Sequence, residues 1–408
     1  MKKLLQINPV LRTSTSTGRI MQEIGDLAMA NGWESYVAYS RGRDGIRPCT
    51  SHLLPVGNKA SVAWHGLMTR LFDRHGLSSA HATQTFLRQV DALQPDVIHI
   101  HNLHGYFLHY PLLFRYLSSH NIPVIWTVHD CWLYTGHCYH YSFAGCQRWQ
   151  SGCGDCPQRR DFPASWLVDR SRRNYIDKEN AFTSLPKGLL TLVPVSEWMA
   201  GEMNRSFLSG CDIRVIHNGI DTDFFHPAES DFRKKHNLEE KYVILAPANK
   251  WFLDVNRETF DYFASHLTDD MRMVFIGNGV DESRLTDKMI NLGFVSSRAE
   301  IRAIYAACDV MANCTREESL SLLNVEVQAC GTPVVTYSNT GVKETVDGKC
   351  GFAVENGNPE EMWKHVYRIL IKGKAHFSAD CIDWVKQEFD KEDNYNKYIM
   401  LYKSINNG

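Results

Sequence analysis

The sequence has no apolar run near the ~20 residues needed to span a bilayer. It has no excess of charge, with 44 Lys and Arg against 46 Asp and Glu and a net charge of −2. It also lacks a Gly-x-Gly-x-x-Gly fingerprint after its first strand. The first absence excludes a membrane-spanning helix, and the second argues against a nucleic-acid binder that depends on bulk positive charge. The third argues against NAD. The opening MKKLLQINP is only superficially a signal peptide, because Gln6, Asn8 and Pro9 cut its apolar stretch short. Taken as a first buried strand, it predicts a protein that stays in the cytoplasm. Twelve cysteines then imply reduced thiols rather than a disulfide framework.

What is present is a long globular chain. Its 408 residues, 44% hydrophobic and 22% charged, exceed one ordinary core and predict two domains. Strands are expected at 3–8, 35–39, 97–101, 124–129 and 189–195, with helical stretches between them. The first helix places Ile20, Ile24, Leu27 and Ala28 on one face and stops at Asn31-Gly32. A second alternating series, YVILAPA, RMVFIGNG, NLGFV, DVMANC, TPVVTY and GFAVE, follows a connection marked by Asn218-Gly219 and Pro227. Alternation of this kind predicts α/β units with parallel sheets and ligands at the carboxyl ends of the strands. The expected division is 1–212 with an insertion at 131–160, a connection at 213–227, a second domain at 228–381, and a helical tail at 382–408 able to return to the first domain.

The stretch with the most chemistry is NCTREESLSLLNVEVQACGTPVVTYSNTGVKETVDG. A helix is expected from near Leu320 to before Gly331, followed by a buried strand at 332–337. Glu318 and Glu326 stand eight positions apart, one before the helix and one about a turn inside it. Between them lie Ser319, Ser321 and the amides of Leu322 and Leu323. Free amides and the helix dipole make such a point a seat for phosphate, and the two carboxylates could accept hydroxyls of sugars on either side. The bland alternative is a helix start that favours Glu and Ser with no ligand at all.

Three other features stand out. DVIHIHNLHG and VIWTVHD put His99, His101, His104, His129 and Asp130 at strand ends. Cys138, Cys146, Cys153 and Cys156 are spaced x7, x6 and x2; a structural zinc held by four thiolates, a disulfide pair and plain reduced packing all fit this pattern. The basic stretch 159–182 carries Arg170, Arg172, Arg173 and Lys178, either as a solvated helix face or as a contact for an anionic membrane or a lipid-diphosphate acceptor.

STGRI, DVIHIHN, TVHDCW, PVSEW, VIHNGIDTDFFHP, FIGNG, LGFV and Glu318-x7-Glu326 with ACGTPVV run in order over nearly the whole chain. Together they resemble retaining glycosyltransferases of family 4, whose GT-B architecture has two facing Rossmann-like doubly wound parallel-sheet domains with a C-terminal crossover helix. The Cys-bearing insertion is similar to a bacterial subgroup from capsule, exopolysaccharide and colanic-acid-type gene sets. The resemblance implies that Glu318 contacts the donor sugar and Glu326 the ribose, with Ser321, Leu322 and Leu323 at the diphosphate. It places Gly293 and Phe294 beside the base, His129 on the donor sugar and Gly18 near the diphosphate and acceptor; His101 and His104 fall on the acceptor side. The family's first basic residue is matched by Lys250, but Val255-Asn256 stand where a Lys-Gly pair is usual, leaving Arg257 as the candidate substitute.

The implied activity moves a sugar from a UDP- or GDP-sugar to a saccharide, in particular a lipid-linked one, with retention. No metal or other catalytic cofactor is expected, and no nucleic-acid partner. The expected location is cytoplasmic, with contact at the inner face of the cell membrane. A sugar-nucleotide 2-epimerase on the same fold and a catalytically silent nucleotide-sugar-binding protein are the alternatives.

Overall fold

The structure, a computed structural model, describes residues 1–12, 15–42 and 49–405. The chain forms two compact units, Met1–Ile216 with Tyr395–Gly408, and His217–Asn394.

In the first unit the strands are β1 (Lys2–Ile7), β2 (Trp33–Tyr39), β3 (His52–Pro55), β4 (Val97–Ile100), β5 (Val124–Val128), β6 (Leu190–Pro194) and β7 (Asp212–Ile213). They pair in parallel in the order β3-β2-β1-β4-β5-β6-β7. The order reverses direction between β1 and β4, so a crevice opens at the carboxyl ends of those two strands. Apolar runs in β4, β5 and β6 are buried along their whole length, as expected for a parallel sheet covered on both faces. The helix Ser16–Ala30 lays Ile20, Met21, Ile24 and Ala28 against this sheet, in agreement with its sequence period.

The second unit repeats the plan with β8 (Tyr242–Pro247), β9 (Met271–Ile276), β10 (Met289–Asn291), β11 (Val310–Asn313), β12 (Val334–Tyr337) and β13 (Gly351–Val354). Their order is β10-β9-β8-β11-β12-β13, all parallel. Its crevice therefore lies past the ends of β8 and β11.

The helical tail differs from expectation in one respect. It is two helices, Ala375–Glu388 and Lys391–Ile405, rather than a continuous segment over 382–405. Phe389 is buried between them, and the Asp390 carboxylate caps the second helix by accepting the Glu392 amide at 2.8 Å. Tyr398 and Tyr402 of that helix then join the first unit's core: the Tyr398 hydroxyl lies 2.9 Å from Thr127 Oγ1, and the Tyr402 hydroxyl 2.6 Å from His99 Nδ1.

Candidate active site

In the second unit, Lys250 follows β8 and Glu318 follows β11. The fold brings these distant residues into an ion pair, Lys250 Nζ to Glu318 Oε1 at 2.6 Å, at the point where the strand order reverses. Both side chains keep contact with solvent, 24% and 29% exposed, so the pair contributes no more than ~1 kcal/mol to stability. A stronger anion can therefore recruit the ammonium at little cost.

Beside the pair starts the helix Leu322–Ala329. Its N-cap, Ser321, makes no side-chain capping bond. The Ser321 hydroxyl instead lies 3.4 Å from Asn313 Nδ2, and Asn313 also donates to Asn324 Oδ1 at 2.7 Å. The first-turn amides of Leu322 and Leu323 thus have no side-chain cap, and the dipole makes this an anion seat. Ser319, in the loop just before, is buried with its hydroxyl unpartnered. Glu326 sits half-buried one turn along.

Thr340 fixes the loop from the other side. It is β-branched yet has φ +50°, a strained backbone that persists only where its surroundings over-determine it. Here its hydroxyl donates to the Glu318 carbonyl at 2.7 Å and accepts the Glu318 amide at 3.2 Å. Sequence reasoning missed Thr340; a β-branched residue just before Gly341 carries no signal of it.

Asn256 is the second residue that was missed. It occupies the expected Lys-Gly place and is fully buried. Its Nδ2 donates to the Lys250 and Cys314 carbonyls, both at 2.9 Å, and its Oδ1 accepts from Arg316 Nε at 2.6 Å. Arg316 also donates to the Val255 carbonyl and lies over the Tyr337 ring. The departure from the family pattern is thus a polar tie between the Lys250 segment and the loop that carries Glu318. Asn256→Ala is expected to destabilise the second unit by about 2–4 kcal/mol, since it removes three hydrogen bonds, one buried and two part-buried; urea unfolding measures this. Arg257, the proposed substitute, lies 59% exposed in an ion pair with Asp254 at 3.0 Å.

At the ends of β9 and β10, Gly293 has φ +63°. Its amide donates to Asn291 Oδ1 at 2.9 Å and its carbonyl accepts the Gly277 amide at 2.8 Å. Phe294 follows with its ring 71% exposed, a free face beside a narrow backbone turn.

In the first unit the expected histidines do come together. His129 Nε2 lies 3.3 Å from His101 Nδ1, and His101 Nε2 lies 3.0 Å from Gln6 Oε1. His104 Nε2 meets Asp130 Oδ2 at 2.8 Å. Burial lowers the His129 pKa to about 4, with the nearby Asp130 opposing and His104 assisting. His129 is therefore a neutral imidazole at pH 7. Burial works to raise Asp130, but the charge and hydrogen bond of His104 outweigh it and hold the carboxyl at about 2. Gly18 falls inside the first helix rather than in the preceding loop. A Cβ there would meet the Arg12 carbonyl at 2.2 Å, so glycine lets the loop fold onto the helix. Thr13 and Ser14 of that loop lie outside the described residues.

Cys138, Cys146, Cys153 and Cys156 do line one small space together with His137, and all are free thiols. Among the described residues no group of three or more His, Cys, Asp or Glu side chains is placed to hold a metal ion. Packing and buried polar bonds also secure the insertion. Trp149 is buried against Tyr134 and Tyr141, and His137 Nδ1 bonds Asp73 at 2.7 Å. One expectation needs correction: Lys178 is buried rather than on a basic surface. Its ammonium donates to the Trp132 and Thr135 carbonyls at 2.6 and 2.7 Å and lies 3.6 Å from the centre of the Trp132 ring. Burial brings its pKa down to about 7.

Two doubly wound parallel-sheet units, each with a crevice where its strand order reverses, have the GT-B architecture. The model described as Glycosyltransferase Family 4 matches residues 18–224, and the one described as Glycosyl transferases group 1 matches residues 250–372. The chain belongs to glycosyltransferase family 4. It is 22% identical over 416 residues to the Putative colanic acid biosynthesis glycosyl transferase WcaC of Escherichia coli (strain K12), covering 99% of this chain and 98% of that one. In fold it is similar to HepE of Anabaena, solved in complex with UDP, with TM-score 0.70, 14% identity and coverage of 99% and 100%. It is likewise similar to a sucrose-phosphate synthase from Thermosynechococcus elongatus, with TM-score 0.68, 14% identity and coverage of 99% for both chains.

Proposed function

We propose that this glycosyltransferase moves a sugar from a UDP- or GDP-sugar to a lipid-linked saccharide, with retention and without a divalent ion, in the assembly of a cell-surface polysaccharide. The observation that carries the reading is the Lys250–Glu318 pair at 2.6 Å beside a helix start with no side-chain cap. The donor diphosphate takes the amides of Leu322 and Leu323, with Ser321 alongside, and draws Lys250 away from Glu318. Negative charge grows on the β-phosphate as the bond to the sugar breaks, and the ammonium and amides oppose that charge where it develops. Glu318, released from Lys250, accepts hydroxyls of the transferred sugar, and Glu326 accepts those of the ribose. Gly293 and Phe294 border the base. Neutral His129 bonds the sugar, while His101 and His104 serve the acceptor side, with Gly18 in the first turn of the helix Ser16–Ala30. The acceptor oxygen enters on the face the phosphate leaves, and the departing phosphate takes its proton. Arg257 would add charge at the diphosphate only after leaving Asp254.

The UDP complex of HepE supports a nucleotide-sugar donor, and the WcaC relationship supports a polysaccharide product. The silent-binder alternative rested on the missing Lys-Gly pair, and the tie made by Asn256 weakens that motive. Donor profiling by mass spectrometry, with the anomeric configuration of the product read by NMR, tests the assignment; an inverted product or epimerised free donor would refute it. Glu326→Ala is expected to weaken nucleotide affinity in titration calorimetry by about tenfold, from loss of a charged hydrogen bond. His129→Ala should spare that affinity and lower transfer. Equal losses in both measurements would contradict these roles.

A further inference from the structure

The helix Lys59–Phe72 carries an apolar stripe that faces outward. His65, Gly66 and Thr69 point inward and are buried, while Ala60, Ala63, Trp64 and Leu67 are exposed at helical spacing. Trp64 is 55% and Leu67 45% exposed. Beside the end of this helix lies the loop 162–168, joined to it by the Trp166 amide on the Arg70 carbonyl at 2.6 Å. The loop is built to turn its apolar residues out. Pro163 and Ser165 are its buried members; the Ser165 amide donates to the Arg159 carbonyl at 2.8 Å and its hydroxyl to the Val168 carbonyl at 2.6 Å. Phe162, Trp166 and Leu167 consequently stand in solvent, the last two 56% and 65% exposed.

The charge around this patch is mainly positive. Arg70, Arg74 and Arg160 are exposed on its rim and Arg159 is half-buried in it. Of the nearby acids, Asp73 is buried against His137, and Asp169 is tied to Ser171 and the Cys156 amide. Asp161 is exposed and, among the described residues, makes no ion pair; it does not balance four guanidiniums. Tryptophan and aliphatic side chains ringed by Arg match the interface of a bilayer with anionic headgroups, where each guanidinium near the surface adds attraction and each ring sits at headgroup level.

The patch also leads inward. Phe162 meets the Tyr139 ring edge-on at 5.2 Å between centroids, and Tyr139 lies 4.5 Å from His104, the partner of Asp130. The Tyr139 hydroxyl is buried with no hydrogen-bond partner. An apolar surface thus continues into the histidine cluster on one unit.

We propose that the outward face of helix Lys59–Phe72 and the loop 162–168 dock this protein on an anionic lipid bilayer. This places the membrane contact on a different surface from the basic helix singled out in the sequence, whose Lys178 is internal. Its use in catalysis rests on the reading that the acceptor is lipid-linked, but binding itself needs neither donor nor acceptor.

The test is flotation of the full chain with vesicles of phosphatidylcholine alone or of phosphatidylcholine with phosphatidylglycerol, without any sugar nucleotide. The protein should float with the anionic vesicles, less so at high salt, and its tryptophan emission should shift to the blue. Trp64→Glu with Leu67→Glu, and separately Trp166→Glu with Leu167→Glu, should each reduce binding at least about tenfold, because charge is expelled from the interface, with unchanged thermal melts and nucleotide binding. Equal flotation with both vesicle types, or variants that bind as the parent does, would overturn the proposal. So would a dimer in light scattering that the same variants dissolve, which would assign the face to a second copy. Failure of transfer to a lipid-linked acceptor with vesicle binding intact would count against the acceptor reading alone.

Discussion

Lys250→Met is expected to lower kcat by roughly 10²–10³-fold, the loss that follows removal of one preorganised group opposing charge in a transition state. Methionine keeps the length of the stem and deletes the charge, so packing near the buried Trp251 is preserved. The Glu318 carboxylate left behind is 29% exposed and can be hydrated, so the fold should survive and melting should change by less than ~1 kcal/mol equivalent. Because the phosphate carries more negative charge as the sugar departs, the loss should fall more on kcat than on donor affinity. Lys250→Arg should recover part of the rate, since it restores the charge without the compact ammonium. Glu318→Gln separates the two partners: it frees Lys250 and should leave nucleotide affinity unchanged or tighter while transfer falls. Steady-state kinetics with calorimetry decides. A Lys250→Met enzyme that loses affinity while keeping kcat would reduce the lysine to a uniform binding contact.

The sheet plan was legible because β4, β5, β6, β8, β11 and β12 are short apolar runs between breaks, buried on both faces. The edge strands β3 and β7 were not seen. HLLP of β3 is exposed or half-buried and ends in proline, and β7 is two residues long, so neither has a pattern to detect. The helix at 322–329 was visible from its Gly-Thr-Pro stop and its first residue was off by about two, within the usual fraying of helix ends. Its neighbours were only partly visible. Lys250 and Glu318 are 68 positions apart, and pairing them needed either a family pattern or coordinates. Lys178 misled for the same reason: the carbonyls that take its ammonium belong to Trp132 and Thr135, 46 and 43 positions back. The thiol spacing reports that four side chains converge, and convergence alone does not set the angles and distances that a metal requires.

Acid should unfold the first unit before the second. His65, His75, His99 and His101 are all buried in the first unit, and the described residues of the second contain no buried histidine. Their hydrogen bonds suit neutral rings: His65 Nε2 accepts the Gly76 amide at 2.9 Å, and His75 Nε2 accepts the Gly105 amide at 3.2 Å. Burial is the main cause that lowers all four, His65 and His99 to about 3 and the other two well below their ordinary value. A lowered folded-state pKa means that the unfolded chain binds more protons. Stability is therefore complete above about pH 6.5 and is lost as pH falls toward the folded values. At pH 5 each such ring costs about 2 kcal/mol, and four together rival the ~5–15 kcal/mol that holds a domain folded. His137 acts in the opposite sense: burial would lower it, but its bond and charge contact with Asp73 raise it, so it offsets part of the loss. Hydrogen exchange read by mass spectrometry at pH 7.5 and pH 5 distinguishes the units. Peptides from β1, β4 and β5 should lose protection at the lower pH while those from β8 and β11 keep it. Simultaneous loss in both sets would mean that the imidazoles do not set the acid limit of this fold.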